Sequence, residues 1–285
     1  MTTCRVHVRE LENHLAALAG DRSPYTAPDR MEQAGYYIQE ALERFGLAPQ
    51  TVPVLSDGLT SFNIEARLGG QDAAAPALLV GAHYDTVPGC PGADDNASAV
   101  AALLTAARVL AESPPRRPVH LVAFALEEYG FLGSEVTARQ LDPAACRGMI
   151  SLEMLGYTDR RPGSQHYPAP VDAAGYPDTG DFIAVVGNEA SAGLVASLVS
   201  GMKQSVPELG VESLVVPGQG EALPDVRRSD HVPFWERGIP AVMLTDTAQF
   251  RNPHYHQPSD TLDTLDLPFL AQVTEALIGY LLQAD

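Results

Sequence analysis

The strongest constraint on the fold is a series of short apolar runs separated by longer stretches of helical character. The runs lie at 77–82, 119–126, 148–152, 180–186 and 241–244. They are too short for typical helices and do not alternate with polar residues, so they predict strands that are buried on both faces. Strands of this kind alternating with helices predict an α/β fold, a single-domain α/β/α sandwich around a mostly parallel mixed sheet.

Apolar residues at helical spacing predict the elements around these strands. Val8, Leu11, Leu15 and Leu18 indicate a first helix, and a second ends near Gly46 as a C-cap would require. The other predicted elements are strands near 50–55, 61–68 and 213–216 and helices near 31–45, 97–111, beyond 130, 189–205, 231–237 and 267–283. No change in composition marks a linker, so we expect one domain over 1–285 with N-terminal helices at about 6–46. The Pro- and Gly-containing loop 157–181 is a candidate lid.

Charge and composition exclude several classes of partner. The 285 residues include 18 Lys+Arg and 36 Asp+Glu, a net charge of −18, which repels nucleic acid and anionic membranes and favours a peptide or small amide substrate. No apolar run is long enough to span a bilayer. Charged residues interrupt the first fifteen positions, so with Met1 as the start we expect no signal peptide and a cytoplasmic location. Cys4, Cys90 and Cys146 form neither a disulfide framework nor a thiolate zinc site.

Carboxylates and imidazoles recur where the predicted buried strands end. His83 and Asp85 follow the first of the runs, the adjacent pair Glu127 and Glu128 follows the second, and Glu153 follows the third. In open α/β sheets the ligand crevice lies at the carboxyl ends of the strands. Histidines with several carboxylates and no thiolate are typical of a hydrolytic zinc site. A His-x-Asp triplet alone is also typical of a hydrogen-bonded structural pair, whereas two adjacent glutamates after an apolar strand are costly without a cation or a shared proton.

Six motifs follow one another along the chain: Gly81-Ala-His-Tyr-Asp-Thr86, Gly92-Ala-Asp-Asp-Asn-Ala-Ser98, Ala125-Leu-Glu-Glu-Tyr-Gly130, Leu152-Glu-Met-Leu-Gly156, Ser229-Asp-His-Val-Pro-Phe234 and Tyr255-His-Gln-Pro-Ser-Asp-Thr261. In this order they resemble the motifs of the co-catalytic dizinc exopeptidases. That family includes bacterial leucyl-type aminopeptidases, the catalytic domain of glutamate carboxypeptidase and the glutaminyl cyclases. The resemblance extends from 81 to 261 and implies a zinc-peptidase catalytic domain.

The resemblance implies two Zn²⁺ ions per chain. Asp95 would bridge the two ions, His83 and Glu153 would complete one site, and Glu128 and His256 would complete the other. Many members of the family carry aspartate where this chain has Glu153. The longer side chain still supplies a carboxylate, so the implied ligand set is complete.

Further roles follow from the same resemblance. Glu127 would act as general base on a water that bridges the metals. Asp85 would orient a ligating imidazole, and Tyr255 would donate its phenol proton to the oxyanion of the reacting carbonyl. The adjacent Asp94 receives no role, and we expect it to be a bystander.

The simplest implied function is a zinc-dependent exopeptidase of the aminopeptidase type. A carboxypeptidase or another amidohydrolase on the same dizinc site is an alternative, since Arg227, Arg228 and Arg251 could bind a substrate carboxylate. A glutaminyl cyclase-like acyltransferase is disfavoured by Ser229 and Tyr255, because cyclases carry an acid and a tryptophan at those places. The complete ligand set disfavours a metal-free binding domain.

Two further histidines fall outside the implied ligand positions. We expect His231 to form part of the pocket wall and His254 to contact substrate or solvent. The sequence favours no particular oligomeric state.

Overall fold

The structure, a computed structural model, describes residues 6–56, 58–169, 171 and 173–284. Cys4 and positions 170 and 172 of the candidate lid lie outside the described residues. The strands are β1 Gln50–Ser56, β2 Leu59–Leu68, β3 Ala77–His83, β4 Val119–Phe124, β5 Cys146–Glu153, β6 Phe182–Asn188, β7 Gly210–Val216 and β8 Ala241–Thr245. The helices are α1 Val8–Leu18, α2 Pro28–Arg44, α3 Ala99–Glu112, α4 Leu132–Gln140, α5 Ala192–Ser205, α6 Val232–Glu236 and α7 Leu267–Gln283.

The eight strands form one mixed sheet in the order β1-β2-β4-β3-β5-β8-β6-β7. The central strands β4, β3, β5 and β8 are parallel, while β1–β2, β2–β4 and β6–β8 pair antiparallel. The predicted fold class is therefore confirmed. The central runs read as continuous apolar segments because helices cover both faces of these strands.

Two apolar clusters lie on opposite faces of the sheet. Along β3, the side chains of Leu78, Val80 and Ala82 pack in one cluster, together with residues of α1, α2, α3, α5 and α7, while Leu79 packs in the other. The second cluster contains residues of α4 and α6 and is joined by Tyr167 from the 157–181 loop. This alternation follows from the two-residue period of a strand.

The sheet topology explains where the polar side chains meet. Since β3, β4, β5 and β8 are parallel neighbours, their carboxyl ends lie side by side at one edge. His83 and Glu153 are the last residues of β3 and β5, and Glu127 follows β4 by three positions. Within the described part of the chain, no helix is both long and apolar enough to cross a membrane.

Candidate metal centre

The five residues expected to bind metal lie together at this edge. The Nε2 atom of His83 is 3.2 Å from Oδ1 of Asp95 and 3.5 Å from Oε1 of Glu153. The Nε2 atom of His256 is 3.1 Å from Oδ2 of Asp95 and 3.1 Å from Oε2 of Glu128. Asp95 thus directs each of its two oxygens at a different histidine, and each histidine has one further carboxylate beside it. This is the arrangement that a bridging carboxylate between two ions needs.

The donor chemistry of this cluster fits zinc. His83 is 1% exposed and Asp95 is 2% exposed. Oδ1 of Asp95 and Oε1 of Glu128 are buried without a hydrogen-bond partner among the described residues, and such atoms are costly unless a cation binds them. The ligand atoms of His83, Asp95 and Glu128 lie within 4.8 Å of one another. Imidazole nitrogen and carboxylate oxygen are ordinary zinc ligands.

The protonation behaviour of the cluster reflects its excess of buried carboxylates. Burial and the nearby Asp95 raise the pKa of Glu128 to about 7. Burial opposes protonation of His256, but hydrogen bonds to Asp95 and Glu128 outweigh it and raise the pKa of His256 to about 10. The pKa of Glu127 lies well above its usual value because of burial and the adjacent carboxylates of Glu153 and Glu128. Protons held on these groups offset the repulsion that a bound cation would also relieve.

Asp85 acts on the backbone of the acidic pair. Its Oδ1 and Oδ2 accept hydrogen bonds from the backbone N–H groups of Glu127 and Glu128, at 3.0 and 3.2 Å. The Nδ1 atom of His83 lies 3.3 Å from the backbone carbonyl of Asp85 and 3.8 Å from its carboxylate. The backbone carbonyl of Asp85 is therefore the nearer partner of the imidazole, and the Asp85 carboxylate lies beside the same nitrogen while it bonds the backbone of the two glutamates.

Two residues without an expected role connect segments that carry ligands. The side-chain amide of Asn96 donates to Leu152 O and its carbonyl accepts from Met154 N, both at 2.9 Å, so it bonds the backbone on either side of Glu153. Asp260, in the loop that carries His256, accepts hydrogen bonds from the N–H groups of Asp94 and Asp95 at 2.9 and 3.1 Å. Both residues belong to the motifs quoted above, which was the signal available in the sequence, but their hydrogen-bond partners are remote in the chain.

The structure gives Asp94 a structural role and so corrects the expectation of a bystander. Its side chain is completely buried. Oδ1 accepts from Gly156 N at 2.9 Å, and Oδ2 accepts from the amide of Asn252 at 2.8 Å. Burial and the neighbouring Asp246 raise the pKa of Asp94 well above its usual value. Asp94 therefore joins the loop after β5 to the loop that leads to His256.

The expected base and oxyanion donor both border the cluster. Glu127 is 6% exposed, and its Oε2 lies 4.0 Å from His83 Nε2, farther than the carboxylates of Asp95 and Glu153. The ring of Tyr255 stacks on the ring of His256, with centroids 3.9 Å apart. The Tyr255 hydroxyl accepts a hydrogen bond from Nη2 of Arg228 at 3.2 Å.

Several site residues have an unusual backbone. Leu126, Met154 and His256 have φ values of +61°, +52° and +58°, in the left-handed region that residues other than glycine rarely adopt. Leu126 lies beside Glu127, Met154 lies beside Glu153, and His256 is itself an expected ligand. Such conformations cost roughly 1–3 kcal/mol each and concentrate at functional sites.

A cavity of about 100 Å³ opens beside Glu153 and Tyr255. Its walls are mainly apolar and include Phe182, Ala184 and Met243, and the 157–181 loop contributes Tyr167 and Tyr176. The candidate lid is thus one wall of the cavity in this structure.

The remaining candidate residues have different surroundings. Arg227 pairs with Glu236 at 2.8 Å, and the buried Arg251 donates to Phe182 O at 2.7 Å, while Arg228 is exposed at the cavity rim. We expected His231 to form part of the pocket wall, and this expectation is wrong. His231 is fully buried, and its Nε2 bonds to Val226 O at 2.8 Å. His254 is half-buried and bonds to Ser259 Oγ at 2.9 Å.

An α/β/α sandwich with histidines and carboxylates gathered at the carboxyl ends of its parallel strands defines a metal-dependent hydrolase. Residues 63–281 match the model of Peptidase family M28, and the chain belongs to this family. It is 41% identical over 268 residues to the uncharacterized protein YfbL of Escherichia coli strain K12, which covers 89% of this chain and 80% of YfbL.

Relatives with named activities are more distant. The chain is 30% identical over 222 residues to the probable lipoprotein aminopeptidase LpqL of Mycobacterium tuberculosis, covering 68% of this chain and 40% of LpqL. The solved structure of a zinc aminopeptidase from Bacillus subtilis is similar with a TM-score of 0.59 at 26% identity, covering 78% of this chain and 49% of that one. The chain thus spans less than half the length of these two proteins.

Proposed function

We propose that this M28 peptidase is a dizinc aminopeptidase, which removes N-terminal residues from peptides. The observation that carries the proposal is the position of Asp95, whose two oxygens lie 3.2 and 3.1 Å from the Nε2 atoms of two different histidines. His83 and Glu153 would complete one zinc site, and Glu128 and His256 the other. When bound, the two ions supply Lewis acidity and lower the pKa of the attacking water towards neutrality.

Glu127 has the properties of a general base beside this centre. It follows β4 on the same edge of the sheet, and it is farther from His83 than Asp95 and Glu153 are. A carboxylate that lies beside the ions without binding them can accept a proton from the water that they activate. Oε2 of Glu127 would take a proton from the attacking water and return it to the leaving amine. Asp85 supports this role by holding the backbone N–H of Glu127.

Tyr255 would stabilise charge on the reacting carbonyl by donating its phenol proton. Its ring is fixed against His256, and its hydroxyl can donate a hydrogen bond while it accepts one from Arg228. A hydroxyl held in advance costs no reorganisation when the oxyanion develops.

The cavity beside Glu153 is the place for the first side chain of the substrate. Its volume of about 100 Å³ is smaller than the roughly 150 Å³ of an engineered apolar cavity that binds benzene. We therefore expect leucine or methionine to be preferred over phenylalanine or tryptophan at the N-terminus. The net charge of −18 and carboxylate oxygens beside the cavity favour a substrate with a free α-ammonium group.

The test combines zinc stoichiometry with a panel of substrates. Elemental analysis of protein equilibrated with dilute zinc and freed of excess should give two ions per chain, and peptides with a free N-terminus should be hydrolysed. A ratio of one ion would contradict the dizinc centre. Hydrolysis restricted to N-blocked substrates would reject the aminopeptidase and favour a carboxypeptidase or another amidohydrolase that uses Arg228.

A further inference from the structure

Arg22 is a buried arginine in the turn between α1 and α2, before the region 63–281 that matches the family model. It is 1% exposed and is among the largest fully buried side chains. A buried guanidinium is costly unless its N–H groups are hydrogen-bonded. Its contacts therefore indicate what this charge does in the fold.

The guanidinium donates to backbone carbonyls on both sides of a loop. Within its own turn it donates to the carbonyls of Leu18 and Gly20, at 2.6 and 2.8 Å. Across the loop it donates to Tyr84 O at 2.7 Å, to Pro91 O at 3.0 Å and to Gly92 O at 2.9 Å. One side chain thus joins both ends of the segment 84–92 to the N-terminal turn.

These acceptors are adjacent to two candidate zinc ligands. Tyr84 directly follows His83, and Gly92 lies three residues before Asp95. The carbonyl of Gly92 also accepts the N–H of Ala97 at 3.1 Å, which closes the turn that contains Asp95. A shift of either end of this loop would therefore move a ligand.

The packing at Gly92 leaves little freedom for such a shift. Its φ is +59°, and a Cβ at this position would lie 2.3 Å from Asp95 O and 2.8 Å from Nη2 of Arg22. The backbone of the same turn adds contacts to the loop: Gly20 N donates to Pro91 O at 2.7 Å, and Arg22 N donates to Thr86 Oγ1 at 2.9 Å.

The positive charge of Arg22 is also favourable near the acidic residues of the metal centre. The guanidinium donates to neutral backbone carbonyls, and among the described residues no carboxylate forms an ion pair with it. Burial lowers the pKa of Arg22 to about 10, while Asp95, Asp85 and Asp260 favour its charged form, so it is protonated at neutral pH. A fixed positive charge near the metal centre offsets part of the electrostatic repulsion among the carboxylates proposed as ligands.

We infer that Arg22 is a positioning residue of the metal centre, which fixes the spacing of His83 and Asp95 by bonding both ends of the loop between them. The inference rests on the proposed zinc centre. With this role for Arg22, the N-terminal turn, which precedes the region matched to the family, contributes to the geometry of the metal centre.

The test uses Arg22→Lys and Arg22→Met with a matched control, Arg30 in α2, which bonds the same turn. Arg30 donates to the backbone carbonyls of Ala19 at 2.8 Å and Ala17 at 3.3 Å, and among the described residues it has no hydrogen bond to the 84–92 loop. Zinc affinity is measured by chelator competition on the metal-free protein, with its melting temperature as a check of folding. The visible absorption of the cobalt-substituted protein reports the ligand geometry directly.

We expect Arg22→Lys to weaken zinc binding about 10- to 100-fold and to change the cobalt spectrum, while Arg30→Lys alters neither. Arg22→Lys keeps the charge and most of the volume, so it carries the test if Arg22→Met does not fold. Wild-type zinc affinity and an unchanged cobalt spectrum in Arg22→Lys would overturn the inference alone, as would an equal loss in Arg30→Lys. Absence of zinc binding in the wild-type protein would overturn the proposed function with it.

Discussion

Replacing Glu127 by glutamine separates the proposed base from the proposed ligands. Oε2 of Glu127 is 4.0 Å from His83 Nε2, whereas Oε2 of the adjacent Glu128 is 3.1 Å from His256 Nε2. Glutamine has the same shape but cannot accept the proton of the attacking water. A general base contributes about 10²- to 10⁴-fold, so kcat/KM should fall by that factor, or roughly 3–5 kcal/mol in the barrier.

The substitution should leave the fold and the zinc content intact. In the metal-free protein, burial and the carboxylates of Glu153 and Glu128 hold the pKa of Glu127 well above its usual value. Removing a carboxylate from this cluster relieves repulsion, so the melting temperature of the metal-free variant should equal or exceed that of the wild type.

The assay compares hydrolysis of a leucyl chromogenic amide and zinc content in Glu127→Gln and Glu128→Gln. We expect Glu127→Gln to retain two zinc ions with little activity, and Glu128→Gln to lose zinc because it removes a ligand. Loss of zinc from Glu127→Gln, or activity within tenfold of the wild type, would refute the assignment of the two neighbouring glutamates.

Three further predictions address the cavity, the pH dependence and the packing. Ala184→Leu fills part of the cavity, so kcat/KM for leucyl peptides should fall at least about tenfold with little change for alanyl peptides; an equal loss on both would contradict the position of the side-chain pocket. Burial lowers the pKa of His14 from 6.5 to about 4 against the opposing effect of Glu10, so the unfolded chain binds more protons between these values. His14 therefore lowers the free energy of unfolding by up to about 3 kcal/mol at pH 4 relative to pH 7. Urea unfolding should show that His14→Gln loses less of its free energy of unfolding between pH 7 and pH 4 than the wild type, by up to that amount. A Cβ on Gly133 would lie 2.4 Å from Ala125 O, so Gly133→Ala should destabilise the protein by about 1–3 kcal/mol. Gly193→Ala, where a Cβ meets open space in α5, should be neutral or stabilising by up to about 1 kcal/mol.

Most of the secondary structure followed from local patterns. The helix predicted from Val8 to Leu18 matches α1, and the strands predicted from uninterrupted apolar runs match the central strands within a few residues. The helix predicted over 97–111 corresponds to α3, which begins at Ala99 and follows a turn in which Asp95 and Asn96 have non-helical backbone angles.

The cytoplasmic location and the single domain remain predictions from the sequence. The expected ligands Asp95 and His256, 161 positions apart in the numbering, meet in the structure because each lies beside the carboxyl ends of parallel strands. The sequence alone did not indicate Arg22, Asp94 or Asp260 as residues that hold this centre together.

The sequence by itself determined the elements, the fold class and the candidate ligand set. Apolar periodicity and the residue types at strand ends are local properties, so they can be recognised in the sequence without knowledge of the tertiary packing. Tertiary structure decided which polar residues are buried and what they bond. Asp85 bonds the backbone beyond β4, and Arg22 bonds a loop more than sixty residues away. A buried polar group needs a partner, and which partner it finds depends on segments that come together only when the sheet and its helices are packed.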